Sequence, residues 1–207
     1  TRFGQLLDDL ARHSRSRILD LVSAGFSTRL KEDRTPVTDV DIEVEQVLRS
    51  MIADAFPDHG VIGEEFPQSN PDAEFQWILD PIDGTEELAS GLPLFGTIIA
   101  LHYNGKPVAG LIDHPLLGET FRAVTGQGTT LNGAAVAPLD LSPSEEPLVR
   151  RLAVTTRKNF FRHDGDPAVF DRIVEAFPNI RVYHSCFAHT ATIRGGFDAM
   201  FECNVKL

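Results

Sequence analysis

Asp80 and Asp83 stand three positions apart in WILDPIDGTEE, residues 77–87, with Pro81 and Ile82 between them and Gly84 and Thr85 directly after. Upstream, Glu64 and Glu65 close a second short apolar run, GVIGEE. Carboxylates and backbone carbonyls are the ligands a hard divalent cation such as Mg2+ takes. Strand ends suit them, because a sheet holds the side chain still while the following loop stays open. If the two runs are neighbouring strands, Glu64 and Asp80 meet at one edge. Pro81 fixes φ and is expected to prevent strand continuation. The chain then turns, Asp83 folds back beside Asp80, and the Ile82 carbonyl is left for a cation. Gly84 and Thr85 open a predicted helix, TEELASG, whose N-terminal N–H groups favour an anion. Metal ligands next to a phosphate cradle point to metal-assisted attack on a phosphate ester.

Each piece also has a purely structural reading. Taken alone, Asp83 reads as a helix cap, and Glu64 with Glu65 as a solvated turn. The ordered set of GEE, an apolar strand and DPIDGT reads as a metal–phosphate site. Asp41 stays open between two roles: TDVD places Thr38 and Asp41 at capping-box spacing, yet Asp41 also suits catalysis. The histidines are scattered. His184 and His189 flank a predicted helix start and read as surface or hydrogen-bonded core residues.

The elements that must position these groups follow from the hydrophobic period. Residues 3–25 carry Phe3, Leu6, Leu7, Leu10, Ile18, Leu21 and Val22 at helical spacing. KEDRTPVTD (31–39) reads as a loop. Residues 39–56 are helical, with Ile42, Val47, Leu48, Met51, Ile52 and Phe56 expected on one face, and Pro57 ends them. HGVIGEE and QWILD then fit buried strands. Residues 94–115 read as a β-hairpin turning at Asn104-Gly105, followed by a meander. APLDLSPSEEP (137–147) reads as a linker. Beyond it, strand and helix patterns alternate in LVRRLAVTT, PAVFDRIVEAF, NIRVYHS, CFAHTATIRGG and FDAMFEC. This predicts an N-terminal α+β domain over 1–140 carrying the site and an α/β domain over 148–207.

Length and charge bound the function. A chain of 207 residues can bury a large core. The net charge of −11 argues against nucleic acid as the partner. It also means that an anionic substrate needs positive charge from elsewhere, which a bound cation supplies. No apolar run has membrane-spanning length, and no signal peptide is read, so a cytoplasmic protein is expected. Cys186 and Cys203 show neither CxxC nor zinc spacing and are expected to be reduced and buried. The chain opens at Thr1 and stops at ECNVKL, directly after a strand-like run, so a fragment is expected.

With TPVTDVDIEVE before it and GLPLFGTIIAL after it, the set GEEF…WILDPIDGT resembles the inositol monophosphatase family of Mg2+-dependent, lithium-sensitive phosphatases. The resemblance spans essentially the whole chain. It implies a layered αβαβα sandwich and a homodimer. It further implies that Glu64, Asp80 and the Ile82 carbonyl hold one Mg2+, and that Asp80 bridges to a second held with Asp83. Gly84 and Thr85 would bind phosphate, and Thr85 with Asp41 would orient the attacking water. Ser185 and Glu202, in YHSCFAHTATIRGGFDAMFE, fall where the family contacts the organic part of the ester. In the family, a Trp-Asp motif shortly after the Glu202 position completes the second metal site, and Leu207 precedes that point. The resemblance therefore implies a missing ligand and a missing part of the C-terminal core.

The stretch LFGTIIALHYNGKPVAGLIDHPLLGETF looks most like the histidinol-phosphatase branch, although that branch often carries an aspartate where Ser185 stands. Histidinol phosphate, and with it histidine biosynthesis, is the first expectation, and inositol monophosphate the second. A bisphosphate nucleotide or sugar bisphosphate ranks below both. A haloacid-dehalogenase phosphatase also uses a DGT motif, but its two aspartates are one residue apart and follow the first strand. A non-catalytic binding or interaction protein is the alternative if the last metal aspartate is absent.

Overall fold

The computed structural model describes residues 2–32, 34–137, 152–154, 168–177, 179–183 and 185–202. The chain divides into two compact units, Thr1–Ala135 and Val136–Leu207. The expected linker lies almost wholly outside the described residues, as do His184, Cys203 and Leu207. The division into domains over 1–140 and 148–207 stands as a proposal.

The first unit begins with helix α1 (Arg2–Ala24), the short strands β1 (Thr28–Leu30) and β2 (Pro36–Thr38), and helix α2 (Asp39–Ala55). Strands β3 (Gly60–Gly63) and β4 (Phe75–Asp83) follow, then a short helix α3 (Thr85–Ala89). The meander runs through β5 (Gly96–Tyr103), β6 (Lys106–His114), β7 (Glu119–Val124), β8 (Gly128–Leu131) and β9 (Ala134–Ala135). β3 to β9 form one seven-stranded sheet in sequence order. Only the β3–β4 pair is parallel. The hairpin turn is the expected one: Asn104 and Gly105 both adopt positive φ, 48° and 76°, as a two-residue primed turn requires.

Two expectations are corrected here. Residues 36–38 are not loop but strand β2, paired antiparallel with β1 through Thr28↔Thr38 and Leu30↔Pro36. Val37 and Thr38 are buried, and a β-branched pair that packs on a core overrides the polar count around it. The buried face of α2 is also rotated from the expected one. It carries Val40, Val44, Leu48 and Ile52, together with Asp41 and Glu45, whereas Ile42 and Val47 are only half-buried.

α1 and α2 pack on each other and on the central strands. Leu7, Leu10, Ile18, Leu48 and Trp77 sit in that core. Each such side chain contributes roughly 1.5–3 kcal/mol on burial. Trp77 needs a partner for its indole N–H, and donates it to His59 Nδ1 at 3.0 Å.

The second unit pairs three parallel strands, β10 (Leu152–Val154), β11 (Ile180–Val182) and β12 (Ala199–Phe201), in the order β11-β10-β12. Helices α4 (Ala168–Ala176) and α5 (Ser185–Ile193) connect them. Both units have the mixed α and β character expected.

Candidate active site

The parallel register of β3 and β4 pairs Gly63 with Leu79. Glu64 and Asp80 are therefore the next residues on neighbouring strands, as the sequence led us to expect. β4 itself is not interrupted at Pro81, which corrects the expected turn. It runs on to Asp83, with Asp80 opposite Ile98 and Asp83 opposite Gly96. Three steps on β4 thus match two on β5, which is a β-bulge. Pro81 cannot donate to the ladder, and the bulge absorbs that defect. The Pro81 carbonyl instead accepts from Thr97 Oγ1 at 2.9 Å. In a regular strand residues three apart face opposite sides. The extra residue resets that parity, so Asp80 and Asp83 can address the same region.

Asp80 carries the strongest electrostatic signature. Its Oδ1 is buried with no hydrogen-bond partner. Burial raises its carboxyl well above the usual range, and the charges of Asp83, Glu64 and Asp41 raise it further. Hydrogen bonding to the Ile82 backbone opposes this only in part. A buried orphan oxygen among like charges is the environment that a divalent cation relieves. Among the described residues no three His, Cys, Asp or Glu side chains converge as a ready-made cage. The fit to a cation rests on the orphan oxygen and the charges around it. Asp80, Asp83, Glu64 and the Ile82 carbonyl could hold such an ion.

Asp41 caps α2 with one carboxylate oxygen and meets Thr85 with the other. Its Oδ2 accepts from the Thr38 backbone N–H at 2.9 Å and from the Thr38 hydroxyl, completing a capping box at the start of α2. Its Oδ1 lies 3.0 Å from Thr85 Oγ1. Burial raises its carboxyl, against the Thr38 and Thr85 hydrogen bonds. Thr85 Oγ1 is also 3.0 Å from the Ile82 carbonyl. One hydroxyl has one proton, so these two acceptors compete for it. The N-cap of α3 is Gly84, left-handed at φ 97° and without a side-chain cap. Asp83 is not that cap.

The loop after β3 is held from two directions. Lys31 Nζ donates to Glu64 Oε1 and Glu65 Oε1, both at 2.7 Å. Burial works against its charge, but the hydrogen bonds and charges of the two glutamates outweigh it and raise the ammonium above its ordinary range. Glu65 is raised by burial and lowered by Lys31. From beneath, the buried Glu45 accepts the backbone N–H groups of Glu65 and Phe66. The sequence reading gave no role to Lys31 or Glu45. For Glu45 the signal was present: it lies four residues after Asp41, placing a second acid on the stripe that carries Val44 and Leu48.

Ser185 and Glu202 belong to the second unit. Ser185 opens α5 with φ 64°. Glu202 directly follows β12, and its Oε2 is 3.1 Å from Nε2 of the partly exposed His189.

The sequence pattern of the inositol monophosphatase family matches residues 5–206. A chloroplastic bifunctional phosphatase of Arabidopsis thaliana is 33% identical over 99% of this chain and 58% of its own length. A histidinol-phosphatase of Chlorobaculum parvum is 33% identical over 80% of this chain and 62% of its own length. The chain thus spans about six tenths of these two relatives. Among solved structures, a Staphylococcal inositol monophosphatase with products bound superposes with a TM-score of 0.81 at 22% identity, over 99% of this chain and 75% of that one. That likeness shows the fold, the layered αβαβα sandwich.

Proposed function

The chain belongs to the inositol monophosphatase family, and from that premise we propose that the protein hydrolyses a small-molecule phosphate monoester, histidinol phosphate first, with Mg2+. The observation that supports the metal reading best is Asp80, whose buried Oδ1 has no partner and is surrounded by Asp83, Glu64 and Asp41. Glu64, Asp80, Asp83 and the Ile82 carbonyl would hold the ion. When bound, it supplies the positive charge that a phosphate needs among these acids.

The protein's own groups do the rest. Thr85 Oγ1, donating to Asp41 Oδ1, keeps lone pairs to accept a hydrogen bond from an attacking water, and as the water's proton passes to Oγ1 the hydroxyl's own proton would pass to Asp41. Asp41, raised by burial, is a stronger base than a solvated carboxylate. The Thr38 bonds leave its Oδ1 turned to Thr85 and fix that direction. Gly84, with no Cβ and a left-handed backbone, lets a phosphate approach the start of α3. Thr85 adds a hydroxyl there.

Histidinol phosphate carries an amine, and Glu202 offers a carboxylate to it. The Chlorobaculum histidinol-phosphatase supports this choice, and the Staphylococcal inositol monophosphatase keeps inositol monophosphate as the alternative. We also propose a homodimer in the cytoplasm; no helix among the described residues is long and apolar enough to cross a membrane.

The test is kcat/KM for both esters on the full-length protein and its Glu202→Gln variant. We expect histidinol phosphate to be preferred, and the variant to lose roughly 10- to 150-fold on it and less on inositol phosphate. A preference for inositol phosphate overturns the branch. No turnover of any phosphate ester with Mg2+ favours a binding role.

A further inference from the structure

We infer that Glu45 is a positioning residue, a buried clamp that sets the path of residues 64–66 and so the aim of Glu64 toward the metal. The inference rests on the metal reading above. Glu45 is fully buried on α2, where an acid is expensive to keep. It accepts the Glu65 N–H at Oε2, 2.7 Å, and the Phe66 N–H at Oε1, 3.2 Å. Arg49, one turn along the helix, donates Nε to Glu45 Oε1 at 2.7 Å and Nη2 to the Phe66 carbonyl at 3.0 Å. Both backbone groups of Phe66 and the N–H of Glu65 are thus held by two side chains of one helix. Replacing a buried ion pair by apolar groups is often neutral for stability. The pair therefore stands out for what it holds, not for its strength.

Gly63 makes the clamp fit. A Cβ on Gly63 would lie 2.1 Å from Glu45 Oε1. The absence of that carbon lets the carboxylate reach under the loop. Glu64 then sits between two fixed points, the Gly63↔Leu79 register and the clamped Glu65 and Phe66 amides. Asp41, four residues before Glu45 on the same helix, holds Thr85. One face of α2 therefore positions both the loop after β3 and the start of α3. Groups that orient metal ligands through hydrogen bonds typically alter metal affinity by roughly 10- to 100-fold when changed.

Three measurements on the full-length protein decide it. In the metal-free wild type, hydrogen exchange at the Glu65 and Phe66 amides should be strongly protected, although neither lies in a strand. Glu45→Gln keeps the shape but turns an NH2 donor toward a donor. Its Kd for Mg2+ by calorimetry, without substrate, should rise about 10- to 100-fold, with amide protection lost. Gly63→Ala removes no buried charge, the nearest atoms its Cβ would meet belong to the Glu45 carboxylate, and its Kd should rise in the same direction. Unprotected wild-type amides, or a wild-type Kd in either variant, overturns the clamp. Calorimetry showing no Mg2+ binding by the wild type overturns the metal reading itself, whatever the amides do.

Discussion

Asp80→Asn keeps the shape at the end of β4 and removes the charge that a cation would answer. We expect kcat to fall about 10³-fold, the scale of a principal electrostatic element. We also expect the metal-free variant to be no less stable than wild type, because one of several repelling acids is gone; thermal melting in chelator checks this. Asp41 differs, since one carboxylate both caps α2 and meets Thr85. Asp41→Asn should therefore cost about 0.5–2 kcal/mol of stability and lower kcat as well. Thr85→Ala should lower kcat and also cost about 1–3 kcal/mol, because the buried Asp41 Oδ1 loses its donor, and Thr85→Ser should restore most of both. A normal kcat in Thr85→Ala removes the pair from the chemistry. His59, just before β3, sets a pH dependence. It stacks between Phe56 and Phe75 at 4.5 and 4.8 Å, and its Nδ1 accepts from Trp77, so it is held neutral. Burial lowers its pKa from 6.5, Asp58 opposes and Arg2 adds to the lowering. The unfolded chain therefore binds the proton more readily, and stability is full above about 6.5 and falls as pH drops through the lowered value. His59→Asn keeps an acceptor for Trp77 without titrating. Denaturant unfolding from pH 7 to 5 should show a shallower loss in that variant than in wild type.

β4 decides more about the site than any helix does. Its bulge between Asp80 and Asp83 exists because Pro81 lacks an N–H, and it survives because Thr97 satisfies the Pro81 carbonyl. Thr97 is fully buried. Thr97→Val keeps the volume and leaves that carbonyl without a partner. The expected cost is about 1–3 kcal/mol, read from urea unfolding. Because the same bond holds the bulge, affinity for Mg2+ should weaken too. A loss of stability with unchanged metal affinity would show that the bulge aims the aspartates without help from Thr97. α2 complements β4, carrying Asp41 and Glu45 on the face it turns to the core.

For the whole molecule the governing quantity is charge. A net −11 repels a phosphate ester, and the Lys31 ammonium is already engaged by Glu64 and Glu65. Without a cation the candidate site is anionic. Hydrolysis by the full-length protein should need Mg2+ and stop with chelator, and family resemblance adds inhibition by lithium. Mg2+ without substrate should also raise the melting temperature, since a ligand that binds only the folded state stabilises it by mass action. Undiminished turnover in excess chelator would place the chemistry elsewhere.

By itself the sequence determined the types of the helices and of the main-sheet strands, though not of β1 and β2, and the cluster of acids. Hydrophobic period marked α1, α2 and the strands, Asn104-Gly105 marked the hairpin, and GEE with DPIDGT marked the candidate ligands. These signals are local, written within a few residues by turn chemistry and alternation. The tertiary structure alone decided what depends on register and on contact between distant segments. The parallel pairing of β3 with β4 sets Glu64 beside Asp80. The Thr97 bond lets β4 pass through Pro81 where a turn was expected. The rotation of α2 buries Asp41 and Glu45 instead of Ile42 and Val47. The position of Glu45 on the stripe of Val44 and Leu48 hints at burial, but what it holds is set only when the loop of residues 64–66 is folded over it. Its partners are 20 and 21 positions away, and only packing against the sheet brings the helix and that loop together.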